Sequence, residues 1–207
     1  MDQREMFLES VRHVARLCAV AAMTAPKSGG QLFLQGAKPF IETVIVDDKP
    51  TLKKLADWLR AEGEKHKEAI WYRDADTAEK TDLVLFIGLS GWYPPQYDCG
   101  ACGYGTCAEF LKARPNHQSP GSVDWQFSGP ICQLRCIDLG IAVGSAAKAA
   151  SLNNVDARCQ TRIAAGARHL GIIQADVAVA LSMSVSHKNI FFDKKMPEIK
   201  FEGNSAA

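Results

Sequence analysis

The sequence predicts an α+β fold with one cysteine-rich insertion. Segments with helical apolar spacing alternate with short runs of strand character, and four cysteines gather in two neighbouring stretches, Cys99, Cys102 and Cys107 in the first and Cys132 in the second. With 207 residues, 47% of them hydrophobic, the chain suffices for one sizeable core or at most two small ones. The expected organisation is a single α+β domain over 1–207, with residues 97–136 inserted as a loop.

Over 5–23, Phe7, Val11, Val14, Leu17 and Val20 recur at helical spacing, which predicts a helix ending before Pro26. Pro26, Gly29 and Gly30 then break the pattern as a loop. Val44, Ile45 and Val46 are branched at Cβ and suit a pleated surface, so 43–46 reads as a buried strand closed by Asp47 and Asp48. After Pro50, Thr51 is the expected cap of a helix whose apolar positions are Leu52, Leu55, Trp58 and Leu59, running toward Lys67 with one solvated face. The run Leu83-Val-Leu-Phe-Ile-Gly88 is apolar on both faces, as a central strand covered on both sides requires.

A helix is expected from about 104 to 113, followed by an ordered metal-site loop over 115–130, since a structureless loop of that length is unusual in a compact domain. Small residues over 138–147 predict a buried helix that lets another backbone pack close. A further helix is expected from Val155 or Asp156 to His169, stopped by Gly171, then a strand over 176–181 and a polar tail after Asp193. No internal repeat is present.

Charge narrows the function classes. With 24 basic and 23 acidic residues and a net charge of +1, no basic footprint for nucleic acid or an anionic membrane is visible. No uncharged apolar run approaches the roughly 20 residues that span a bilayer, and Asp2, Glu5 and Glu9 among Arg4, Arg12 and Arg16 give the wrong charge order for a secretory signal. The expectation is a cytoplasmic protein without a membrane span. In a reducing compartment the seven cysteines are metal ligands or buried apolar residues, not disulfides. Cys18 and Cys159, each within a helical pattern, read as structural thiols.

The other four cysteines carry the chemistry. Cys99-Gly-Ala-Cys102-Gly-Tyr-Gly-Thr-Cys107 is a C-x2-C-x4-C run, and Cys132 follows Gly129-Pro130 as a distant fourth ligand, which is the form a 4Fe-4S cluster takes from a protein. Three thiolates this close converge only if the backbone wraps tightly. Gly100 and Gly103 permit that, and can turn backbone N–H groups toward the sulfurs. A helix opening near Tyr104 would add amide donors facing the negative cluster. Structural zinc is the alternative metal, although zinc ribbons usually use two separate C-x2-C knuckles. Cys136 is the alternative fourth ligand; Gly129-Pro130 favours Cys132 by aiming it ahead of the next helix.

This segment resembles the small iron-sulfur motif of the Rnf complex and of acetyl-CoA synthase partners. The chain as a whole is similar to a family of uncharacterised ferredoxin-domain-containing proteins. That resemblance runs through Thr24-Ala-Pro-Lys-Ser28, Gly129-Pro-Ile-Cys132, Asp138-Leu-Gly-Ile-Ala-Val-Gly-Ser145, Asn154-Val-Asp-Ala-Arg158 and the stretch from Leu181 to Asp193. Ala25-Pro26-Lys27-Ser28 and Asp138-Leu-Gly-Ile-Ala142 also resemble, in order and context, the flavin-dependent nitroreductases. That likeness implies a nitroreductase-like three-layer sheet and helices, a homodimer, and a cysteine-rich metal loop inserted between the central strand and the core helix. In nitroreductases an early Arg-Ser-x-Arg segment holds the flavin phosphate, whereas Arg12 and Arg16 here belong to the following helix. An FMN phosphate would therefore fall to Lys27, Ser28 and Lys188.

The remaining candidates are weaker. His117, His169 and His187 show no metal-ligand spacing, and His187-Lys188-Asn189 suits a ligand contact or a turn equally. Asp156, Arg158 and Arg162 suit a helix-end ion pair more often than a basic ligand contact, while Trp92, Tyr93 and Tyr97 shield the metal site or fill the loop's own small core. No carboxylate, histidine or serine set has catalytic spacing. Two functions follow: a 4Fe-4S electron-transfer protein or oxidoreductase subunit working with a flavin or a redox partner protein, or a non-enzymatic protein whose zinc or iron-sulfur site serves assembly.

Overall fold

The computed structural model describes residues 2–28, 39–114, 126–186 and 189–192. In chain order the described elements are helix α1 (Gln3–Thr24), strand β1 (Ile41–Val46), helices α2 (Lys49–His66) and α3 (Ala69–Lys80), strand β2 (Leu83–Leu89), helices α4 (Cys107–Ala113) and α5 (Gln133–Leu152), strand β3 (Asp156–Gln160), helix α6 (Thr161–His169) and strand β4 (Val177–Ser184). The strands form one antiparallel sheet in the order β1-β2-β4-β3.

Strand β2 explains the layering. Its seven residues are all buried, and alternation sends them to opposite faces. Leu83, Leu85, Ile87 and Leu89 join Val11, Val14, Cys18 and Ala22 of α1 and Leu139, Ala142, Ala146 and Ala150 of α5. Val84 and Phe86 join Leu52, Leu55 and Leu59 of α2, Trp71 and Ala75 of α3, and Ile163 and Ala164 of α6. The result is a three-layer α+β fold with one core on each side of the sheet. Each fully buried Leu, Ile or Phe contributes about 1.5–3 kcal/mol, so the central strand anchors both cores.

Several elements differ from the sequence reading. The expected strand over 43–46 extends from Ile41 to Val46 but is an edge strand, half-buried through its middle. Asp48, not Thr51, caps α2: its side chain accepts the Thr51 amide at 2.9 Å, and Pro50 sits in the first turn, where no amide is needed. Helix α3, absent from the sequence reading, buries Trp71, Asp74, Ala75 and Ala78. The helix expected over 155–169 splits into β3 and α6. Residues Asp156 to Gln160 pair in register with Ser184 to Ala180 of β4, and that ladder outweighs their helical character. Cys159 is thereby exposed on an edge strand instead of buried as a structural thiol, whereas Cys18 is fully buried as expected. The small-residue helix is longer than its expected 138–147 core. Most of the 115–130 loop and the tail after Asp193 lie outside the described residues.

Candidate metal centre

The chain leaves β2 at Leu89 and turns repeatedly, with positive φ at Gly91, Gln96, Asp98, Gly100 and Gly103. Gly100 and Gly103, at φ 69° and 88°, hold a conformation that a side chain resists. Between them the Gly103 amide donates to the Gly100 carbonyl at 2.9 Å, closing a tight turn that carries Cys102. Asp98 then clamps the loop, its Oδ1 accepting the Cys107 amide at 2.7 Å. At the foot of the loop, Thr106 and Glu109 exchange side-chain and backbone hydrogen bonds in a capping box that starts α4. Fully buried Phe110 fastens α4 to the core, with the rings of Tyr104 and Trp92 5.7 and 5.9 Å from its own.

These details correct two expectations. Helix α4 begins at Cys107 instead of near Tyr104, because Thr106 is its cap. The amides of Gly103 and Cys107 are also spent within the loop, on Gly100 and Asp98, so neither is turned freely toward sulfur.

Cys99, Cys102, Cys107 and Cys132 line one pocket, walled by Pro94, Pro95, Tyr97, Tyr104, Phe110 and Leu134. Asp98 is the one charged residue in that lining, and it is turned to the Cys107 amide. Cys132 is the N-cap of α5 and is 5% exposed, while Cys99 is exposed. Cys136 does not line the pocket. It sits one turn into α5, its amide donating to the Cys132 carbonyl at 3.1 Å, and burial raises its thiol pKa. Among the described residues, no three His, Cys, Asp or Glu side chains are gathered around a single-ion position. A set of four thiols on apolar walls, with tight glycine turns between them, fits the donor chemistry of a 4Fe-4S cluster.

A second buried constellation lies where the resemblance places a flavin phosphate. Ser28 donates through its amide and hydroxyl to Asp138 at 2.8 and 2.6 Å. Arg135 donates to Asp138 at 2.9 Å, to the Ser28 carbonyl at 2.8 Å and to the Tyr93 carbonyl at 2.7 Å, with its guanidinium 4.0 Å over the Phe40 ring. Lys27 donates to the Met23 and Ala25 carbonyls, and burial holds its ammonium below the ordinary lysine pKa against the opposing pull of Asp138. The Asp138 carboxylate thus takes the Ser28 donors that an FMN phosphate would need. Lys188, like His187 and His117, lies outside the described residues.

The other candidates are structural. His169 stacks on Trp58 at 4.9 Å, and Arg162 pairs with buried Asp74 at 2.7 Å. Asp156 accepts from Asn189 at 2.8 Å, and Arg158 lies 5.6 Å from the Phe192 ring. Trp92 is buried, whereas Tyr93 and Tyr97 are exposed beside the metal loop. Sequence reasoning missed Arg135 and Asp98. The first was legible as an Arg-x-x-Asp pair inside an otherwise apolar helix, and the second as the acidic residue directly before Cys99.

A family model for uncharacterized proteins containing a ferredoxin domain matches residues 128–194, and another, named for an Fe-S cluster, matches residues 95–116. An uncharacterized protein of Archaeoglobus fulgidus is 35% identical over 196 residues, covering 94% of this chain and 97% of that one. The chain belongs to this ferredoxin-domain family. The two matched regions between them contain all four pocket cysteines. Among solved structures, it is similar to NADPH:FMN oxidoreductase from Vibrio harveyi (TM-score 0.48, 13% identity, 96% of this chain and 70% of that one). It is similar also to nitroreductase A from Vibrio parahaemolyticus (TM-score 0.47, 13% identity, 90% of this chain and 63% of that one). A third is NfrA1 of B. megaterium (TM-score 0.46, 13% identity, 95% of this chain and 65% of that one).

Proposed function

We propose that this protein is a cytoplasmic electron-transfer protein, or the electron-transfer subunit of an oxidoreductase, holding a 4Fe-4S cluster on Cys99, Cys102, Cys107 and Cys132. The observation that carries the reading is that these four thiols line one pocket while Cys136 does not. When bound, the cluster would supply a centre that accepts and returns one electron. The chain's own part is to hold the four sulfurs, to surround them with the rings of Tyr97, Tyr104 and Phe110, and to leave Cys99 near solvent as the point of electron entry. On this reading residues 97–136 are the iron-sulfur insertion of a single domain.

The electron partner is a flavin or a redox protein. Because Asp138 already binds Ser28, the flavin belongs to the partner and not to the Lys27–Ser28 loop. The partner surface includes the exposed rings of Tyr93 and Tyr97. A second copy of the chain is assigned to the outer faces of α1 and α5, where Leu17, Val20, Met23, Ile137 and Ile141 are exposed and a Cβ at Gly140 or Gly144 would meet nothing within 4 Å. Among the described residues no helix is long and apolar enough to cross a membrane.

The ligand assignment is tested by anaerobic purification of Cys132→Ala and Cys136→Ala. Loss of the visible absorption of the cluster in the first and its retention in the second supports the assignment; the reverse overturns it. Reversible one-electron titration of the wild-type protein supports electron transfer. A centre that is irreducible without unfolding, or a colourless protein with stoichiometric zinc, supports the assembly role instead.

A further inference from the structure

We infer that Asp176 is a positioning residue for the cysteine ligands: it joins the segment carrying Cys99, Cys102 and Cys107 to the segment carrying Cys132. The inference rests on the four-cysteine reading. Three thiols arrive on one stretch of chain and the fourth on another, so something must fix the two stretches relative to each other.

Asp176 is tied to the sheet, its amide donating to the carbonyl of Leu89, the last residue of β2, at 2.8 Å. Its carboxylate gathers both ends of the first cysteine segment. Oδ2 accepts Trp92 Nε1–H at 2.8 Å and Arg114 Nη2–H at 2.9 Å. Trp92 stands seven residues before Cys99, and Arg114 seven residues after Cys107. Arg114 closes the ring by donating to the Trp92 carbonyl at 2.8 Å, with its guanidinium 3.8 Å over the indole. Loop entry, loop exit and sheet therefore meet at one residue.

The backbone of Asp176 holds the other segment. Its carbonyl accepts the Ser128 amide at 2.9 Å, four residues before Cys132. Arg168 of α6 reinforces the junction, donating to the Ser128 hydroxyl at 2.6 Å and to the Gln126 and Ala175 carbonyls. The Arg114–Asp176 pair is largely shielded, at 12% and 22% side-chain exposure, so its charge-assisted bonds are little weakened by water. Residues that orient the ligands of a metal centre without touching the metal commonly control how firmly it is held.

The test uses the full-length, cluster-loaded protein and three variants: Asp176→Ala, Asp176→Asn and Asp74→Ala. The last breaks a different buried ion pair, Asp74 with Arg162, on the opposite face of the sheet. The readouts are the rate at which a chelator bleaches the visible absorption, the spectrum of the reduced cluster, and the denaturant midpoint. Asp176→Ala is expected to lose the cluster about 10- to 100-fold faster than wild type. Asp176→Asn keeps an acceptor for Trp92 but no countercharge for Arg114, and is expected to fall between. Asp74→Ala is expected to bleach at the wild-type rate despite a lower midpoint. Should Asp176→Ala fail to fold, the Asn variant decides. Wild-type bleaching rates in the Asp176 variants, or equal acceleration in Asp74→Ala, overturn the inference. A wild-type protein without iron and sulfide overturns the four-cysteine reading itself.

Discussion

Replacing Arg135 by Met tests how the cysteine loop is secured to the core. Arg135 and Asp138 are 3% and 2% exposed and paired at 2.9 Å. Met keeps the unbranched aliphatic stem of the side chain but removes the ion-pair partner of buried Asp138, a change that costs about 3–5 kcal/mol. The Ser28 amide and hydroxyl still donate to Asp138 at 2.8 and 2.6 Å, which places the loss near the lower end, at about 3 kcal/mol. For a chain of this size that corresponds to a fall in Tm of about 6–12 °C. Urea unfolding monitored by circular dichroism reads the free energy, and an unchanged slope shows that the unfolded state is the same. In the double variant Arg135→Met/Asp138→Asn, the amide keeps an acceptor for Ser28 and removes the stranded charge, so at least about 1 kcal/mol should return. A single variant within about 0.5 kcal/mol of wild type, or a double variant whose losses simply add, refutes the reasoning.

Three further outcomes follow from the same structure. Burial raises the Cys18 thiol pKa from 9.0 to about 11, so between those pH values the folded chain keeps a proton that the unfolded chain has lost. Its contribution to stability is full below pH 9 and is lost as pH rises toward 11, by about 2–3 kcal/mol in total, a slope that Cys18→Ala should remove from urea titrations. Gly166 leaves only 2.8 Å between a built Cβ and the Trp58 ring, so Gly166→Ala should cost about 1–3 kcal/mol and alter Trp fluorescence, and an unchanged midpoint would contradict the packing. Asp98→Ala should speed cluster loss to a chelator, whereas Asp98→Asn, which still offers an oxygen to the Cys107 amide and tolerates φ 46°, should behave as wild type; equal rates in all three proteins count against the clamp.

The layered fold and the cysteine pocket were legible because both rest on short-range pattern. The Leu83–Gly88 run marks a strand buried on both faces, and the spacing of Cys99, Cys102 and Cys107 sets all three on one short stretch of chain that lines the pocket. Strand β3 was not legible: Asp156-Ala-Arg-Cys-Gln160 has no β-branched residue, and it is a strand because β4 offers it a ladder. Helix α3 was hidden by the charged residues of its outer face, although Trp71, Ala75 and Ala78 line its inner one. Ser28 looked like a phosphate contact because its partner stands 110 positions away. Asp176 gave no signal, since Trp92 and Arg114 reach it only once the sheet has formed.

The most direct test of the central claim is iron, sulfide and zinc analysis of the anaerobically purified chain. The four-cysteine reading predicts about four iron and four acid-labile sulfide per chain, with zinc near zero. One zinc per chain without sulfide would contradict it.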